Sequence, residues 1–144
     1  MNLDAFLTKI ETIALDNGFK TVKNKLLFDG MIADTELSSL LIELKGAERK
    51  GEGVNVNYEQ DLDFHFLINR TIFENPAIVL LGLINTLNNA ILADNHLKGK
   101  IEDKLLSIGD IDYSNEIGEL EKKSFFSATQ NIKLITNGYG EGSC

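Results

Sequence analysis

The chain has 144 residues, a formal net charge of -8 and one cysteine. That length fits a single domain burying about two thirds of the surface its unfolded form exposes, so neither a disulfide nor a metal is required to hold it. Its fourteen lysines and arginines are dispersed, which argues against a nucleic-acid backbone as partner, since phosphate binding needs clustered positive charge.

Cys144 closes a Gly-rich tail and has no internal partner, so the fold is expected not to depend on an oxidising compartment. The opening MNLDAFLTKIE lacks a basic stretch followed by an uninterrupted apolar core. It is read as no signal peptide, with synthesis in the cytoplasm.

Leu3, Phe6, Leu7, Ile10, Ile13 and Ala14 recur at spacings of three and four, which predicts an amphipathic helix from about Asp4 to Asn17. Gly18 supplies its left-handed stop. Thr21 to Phe28 is apolar enough for a first strand, followed by a turn at Asp29-Gly30 and a polar loop from Ala33 to Ser38. Leu40, Ile42 and Leu44 alternate with Leu41, Glu43 and Lys45, the pattern of a second strand.

The span from Lys45 to Gly53 holds three glycines and five charges and has nothing to bury. It predicts a flexible hairpin tip or a bulged continuation of the strands on either side. Its glycines lack the GxGxxG or GxxxxGKS spacing, and no helix start follows to cradle a phosphate.

From Val54 to Ile68 the period is two. Val54, Val56, Tyr58, Leu62, Phe64, Phe66 and Ile68 share one parity, broken only by Gln60. Asn55, Asn57, Glu59, Asp61, Asp63, His65 and Leu67 share the other. Side chains of a strand alternate between faces, so this is a half-buried antiparallel strand with one greasy and one wet side. At ~3.3 Å per residue it would reach about 50 Å, more than a compact core covers, and the excess is expected to need a partner.

Asn75 as N-cap and Pro76 at the first helical position begin a second helix, expected to run to about Asp94. Ala77, Leu80, Leu81, Leu83, Ile84, Leu87 and Ile91 form its apolar face. Asn85, Asn88 and Asn89 mark its wet side and are taken to exclude a membrane span. Two extended segments close the chain, from about Lys104 to Tyr113 and from Ser124 to Thr136. The expected class is α+β, a mixed and mainly antiparallel sheet of four to five strands packed by two helices. One domain spans residues 1–138, with a flexible tail over 139–144.

Catalytic signatures are missing: the sequence holds no GxSxG elbow, no HExxH and no Ser-His-Asp signature, so an enzyme is not expected. Glu59, Asp61, Asp63 and His65 align on one strand face about 7 Å apart, but a solvated face produces such a row without function. No cofactor and no metal are assigned to it.

The N-terminal amphipathic helix, the LLIELKGAERKGEG hairpin feeding VNVNYEQDLDFHFLI, the ILADNHLKGKIED helix ending and the terminal strand SFFSATQNIKLIT together carry a resemblance. In this layout, from Leu3 to Thr136, the chain resembles the tail terminator proteins of long-tailed bacteriophages, the group typified by the lambda U protein. It departs from that plan in the tail from Tyr139 to Cys144 and in the extra apolar segment around Leu105.

The resemblance implies a structural virion protein that forms a ring, usually a hexamer. Such a ring caps the tail tube, ends its polymerisation and presents a surface for joining to the head. Its implied partners are copies of itself, the tail tube protein and the head–tail connector or neck protein, with no membrane involved. DNA would pass through the ring without specific binding, and the protein would reside in the host cytoplasm and then in the virion tail or neck. Lys45, Glu48, Arg49, Lys50, Glu52, Glu59, Asp61, Asp63 and His65 would face the subunit or tube interface. A head-completion or neck protein of similar plan is an alternative. So is a small-ligand or metal-binding α+β domain using the face from Glu59 to His65, which divalent metal would stabilise.

Overall fold

A computed structural model describes residues 2–23, 38–51, 56–69, 75–120 and 123–137. Its elements are α1 (Leu3–Asp16), β1 (Thr21–Lys23), β2 (Ser38–Lys50), β3 (Asn57–Asn69), α2 (Pro76–Ala93), α3 (Asn95–Glu102), β4 (Leu106–Leu120) and β5 (Lys123–Asn137). The strands make one sheet in the order β1-β2-β3-β5-β4, antiparallel except where β1 pairs with β2. This is the expected α+β class with a five-stranded sheet, and the described residues hold three helices rather than two.

α1 starts where the Asn2 side chain accepts the Ala5 N–H at 2.7 Å. It buries Phe6, Leu7, Ile10 and Ala14, the stripe that the spacing dictates. Gly18 sits at φ +106 just past the helix, and the Phe19 N–H returns to the Ala14 carbonyl. That closure turns Phe19 into the core, where its ring lies 5.6 Å from that of Phe66.

β3 supplies the middle of the core. Leu62, Phe64, Phe66 and Ile68 are all fully buried on the helix side, as their parity requires. They meet Leu40 and Ile42 of β2, Ala128 and Ile132 of β5, and Leu80, Ile84, Leu87 and Ile91 of α2 in the core cluster. Each such side chain contributes roughly 1.5 to 3 kcal/mol before the entropy of ordering it is counted.

The ribbon expected from Val54 to Ile68 is described as β3 over Asn57–Asn69, and there it is paired on both sides within the chain. β2 follows it from Ile68 down to Asn57, and β5 pairs with it without interruption from Asn69 to Asn57. Over Asn57–Ile68 both hydrogen-bonding edges are thus filled from within the chain. The outer end of β2 is exposed from Leu44 to Lys50.

Lys45 to Lys50 continues β2 as the bulged strand that its composition allowed. The register slips between Leu44 and Gly46, so odd residues up to Lys45 and even residues from Gly46 onward share the polar face. A second bulge lies in β4 between Ile108 and Ile111, opposite Asn131. Gly109 is required there, because a Cβ would stand 2.9 Å from the Asn131 carbonyl oxygen. The buried Gln130 side chain donates to the Gly109 carbonyl at 2.9 Å and fixes the bulge from the core side.

α2 differs from expectation in three ways. The Asn75 side chain makes no capping bond; its carbonyl instead accepts from Ile78 and Val79. Leu81 is exposed rather than buried, with Leu92 and with Ile78 at 69%. The helix is also long and apolar enough to cross a membrane by length and composition, so its asparagines do not exclude a span. One stripe of it, Leu80, Ile84, Leu87 and Ile91, joins the core cluster. The expected strand over 24–28, the turn at 29–30, the loop over 33–37, residues 52–55 and the tail from 138 lie outside the described residues.

Asp94 separates α2 from α3, the additional helix. One carboxylate oxygen accepts the His96 and Leu97 N–H groups at 3.0 Å each, and the other meets Lys9 Nζ of α1 at 3.1 Å. Burial acts to raise its pKa, but the Leu97 and His96 N–H groups and the Lys9 charge outweigh it and hold the carboxyl below its ordinary range. α3 ends with Lys104 at φ 62, and the Leu105 N–H returns to Lys100.

Two outcomes follow, both readable by urea denaturation. Asp94→Ala is expected to cost about 1 kcal/mol. Because the folded carboxyl is the more acidic, its ionic part is present above about pH 4 and is lost as pH falls below that value; a pH-independent loss would contradict the assignment. Lys104→Gly relieves a left-handed residue and is expected to add about 0.5 to 1 kcal/mol.

Candidate site on the polar sheet face

The sheet face turned away from the helix-packed core collects the charge that β3 and its neighbours cannot bury. The β2-β3 register sets Glu43 directly across from Asp63 and Leu41 across from His65. The β3-β5 register sets Thr129 across from His65, Asn131 across from Asp63 and Lys133 across from Asp61. Three carboxylates are thus held close together on a folded surface, an arrangement that is unfavourable unless each finds a donor.

Each does. His65 Nε2 stands 2.7 Å from Glu43 Oε1, and its Nδ1 stands 3.1 Å from Thr129 Oγ1. Asn131 Nδ2 donates to Asp61 Oδ1 at 2.6 Å, to Asp63 Oδ1 at 3.1 Å and to the Leu62 carbonyl. Lys45 Nζ lies 3.4 Å from Asp63 Oδ2, brought there by its place at the bulge. The Glu43, Asp63 and His65 side chains are 31%, 15% and 24% exposed, so water reaches the cluster without engulfing it.

Of the residues expected at an interface, Lys45, Asp61, Asp63 and His65 are brought into this network. Glu59 continues the row, across from Glu48, and together with Asp61, Gly46 and Lys133 they line a shallow groove of about 330 Å³. Lys50 pairs with Glu48 at 3.3 Å in open solvent, a contact worth little. Arg49 is paired with Tyr58 and falls on the opposite face. Glu52 lies outside the described residues.

Four members escaped the row read from β3 alone: Glu43, Thr129, Asn131 and Lys133. All come from neighbouring strands, so only the pairing register brings them in. Glu43 did carry a signal, being the one acid on the wet parity of an otherwise apolar run from Leu40 to Leu44.

The chain matches no protein-family model and no curated protein.

Asn131 holds two acids at once, so Asn131→Ala is expected to cost about 1 to 2 kcal/mol in urea denaturation. Adding Asp61→Asn should return part of that loss by removing one of the unpaired charges. Additive effects of the two changes would show that Asn131 does not couple to Asp61.

Proposed function

We propose that the chain is a ring-forming structural protein of the phage tail-terminator kind, which caps a tail tube and offers its outer surface to the neck. The layout that carries the resemblance, from the N-terminal helix through the β2-β3 ribbon to the final strand, supports this reading. The observation that carries it furthest is the outer half of β2.

β1 pairs only with Ser39 to Leu41, so from Ile42 to Lys50 the outer edge of β2 has no strand partner among the described residues. Beyond Leu44 the strand is exposed along its whole length, and Leu44 itself is 46% exposed on the core-side face. A free edge is normally guarded by charge and by bulging, and this one carries both in Lys45, Glu48, Arg49 and Lys50. Such an edge rejects indiscriminate strand addition and accepts a partner with matching charge. A copy of the same chain, placed head to tail, closes into a ring when the rotation between neighbours is an integral fraction of a turn.

Negative-stain imaging together with mass measured in solution tests the reading directly. Purified chain is expected to form closed rings, or to do so as concentration rises. Replacing Glu48, Arg49 and Lys50 with Ser should leave the melting curve unchanged and weaken association by roughly tenfold, the equivalent of about 1.4 kcal/mol at each contact. A strictly monomeric protein at high concentration, or a triple variant that assembles normally, would remove the support given by this edge.

A further inference from the structure

We infer that Glu43, Asp63 and His65 form a binding site for one divalent transition-metal ion of the Zn²⁺ type, held within a single subunit across β2 and β3. The site goes beyond the ring reading and does not depend on it. Its ligand set also differs from the row on β3 alone, because one ligand comes from the next strand.

The geometry has three parts. Asp63 and His65 are two residues apart on β3 and therefore project from the same face, while Glu43 is the direct cross-strand partner of Asp63. One ligand atom from each lies within 4.8 Å of the other two. A tetrahedral ion with bonds of about 2.0 to 2.2 Å spaces its ligands roughly 3.3 to 3.6 Å apart, so ion binding requires the three side chains to adjust from their present separations. Three protein ligands leave one position open to water.

The surroundings suit the purpose. Thr129 Oγ1 can accept a hydrogen bond from His65 Nδ1–H, the tautomer that leaves the Nε2 lone pair free to coordinate. Asn131 Nδ2 occupies Asp63 Oδ1 and orients the carboxylate, leaving Oδ2 as the ligand atom. That oxygen is the one beside which Lys45 now stands at 3.4 Å. The cluster thus already holds a cation, the chain's own ammonium, and a metal ion takes its place while Lys45 swings out to solvent. Two carboxylates balance a doubly charged ion, and the imidazole selects late first-row metals over Mg²⁺.

Zn²⁺ added to EDTA-treated, full-length protein is expected to bind with a stoichiometry near one per chain in calorimetry and to raise Tm by roughly 5 to 10 °C at a hundredfold excess over Kd. Mg²⁺ at the same concentration should do neither, and Co²⁺ should give the visible absorption of a four- or five-coordinate ion. Binding should be lost in His65→Ala, weakened at least tenfold in Glu43→Gln and tightened in Lys45→Met, which removes the internal competitor. It should persist in His96→Ala and Cys144→Ser. Failure to bind, binding that survives His65→Ala, or equal binding of Mg²⁺ would overturn the site. Mass in solution, followed in the same titration, keeps the result separate from ring formation, because an intrasubunit site binds whatever the assembly state.

Discussion

The structure depends on the register that locks β3 between β2 and β5. Side chains of a strand alternate strictly, so one residue of slippage would exchange Leu62, Phe64, Phe66 and Ile68 for Asp61, Asp63, His65 and Leu67 on the core side. Removing four buried apolar side chains from water outweighs any rearrangement of surface charge, which fixes the register. Once it is fixed, the carboxylates have no choice of neighbours. The polar network is therefore a consequence of core packing, with Asn131, Thr129 and Lys45 standing where the core has placed them.

That ordering explains what could be read from the amino acids. α1 was legible because Phe6, Ile10 and Ala14 sit one turn apart and Gly18 follows at once. β3 was legible because its aromatics share a parity. Asn75 and Asp94 stand where the sequence sets the two ends of α2, but Asn75 caps with its backbone alone and Asp94 also begins another helix. A signal for α3 was present, an Asp followed three residues later by Leu97 and then by Ile101, one turn further on. It was masked by the continuous apolar run before it.

The site was less legible than the fold for a physical reason. A row along one strand is visible as alternation, but its cross-strand neighbours are set by registers between segments that are far apart in sequence. Asn131 is separated from Asp61 and Asp63 by about seventy residues, and no local pattern marks it as their common donor. The bulge at Lys45 adds a second obstacle, because it changes the parity of β2 midway. Counting alternate residues from Leu40 would send Glu48 and Lys50 to the wrong face.

α2 has a consequence of a different kind. Its eighteen residues include no ionisable side chain, although the chain as a whole bears a formal charge of -8. Repulsion between two such acidic bodies is strongest in dilute buffer and fades as the Debye length shrinks. The exposed Ile78, Leu81 and Leu92 belong to this uncharged helix and add nothing to that repulsion. Salt therefore changes what the charged faces do to one another and leaves the contribution of these apolar side chains as it was.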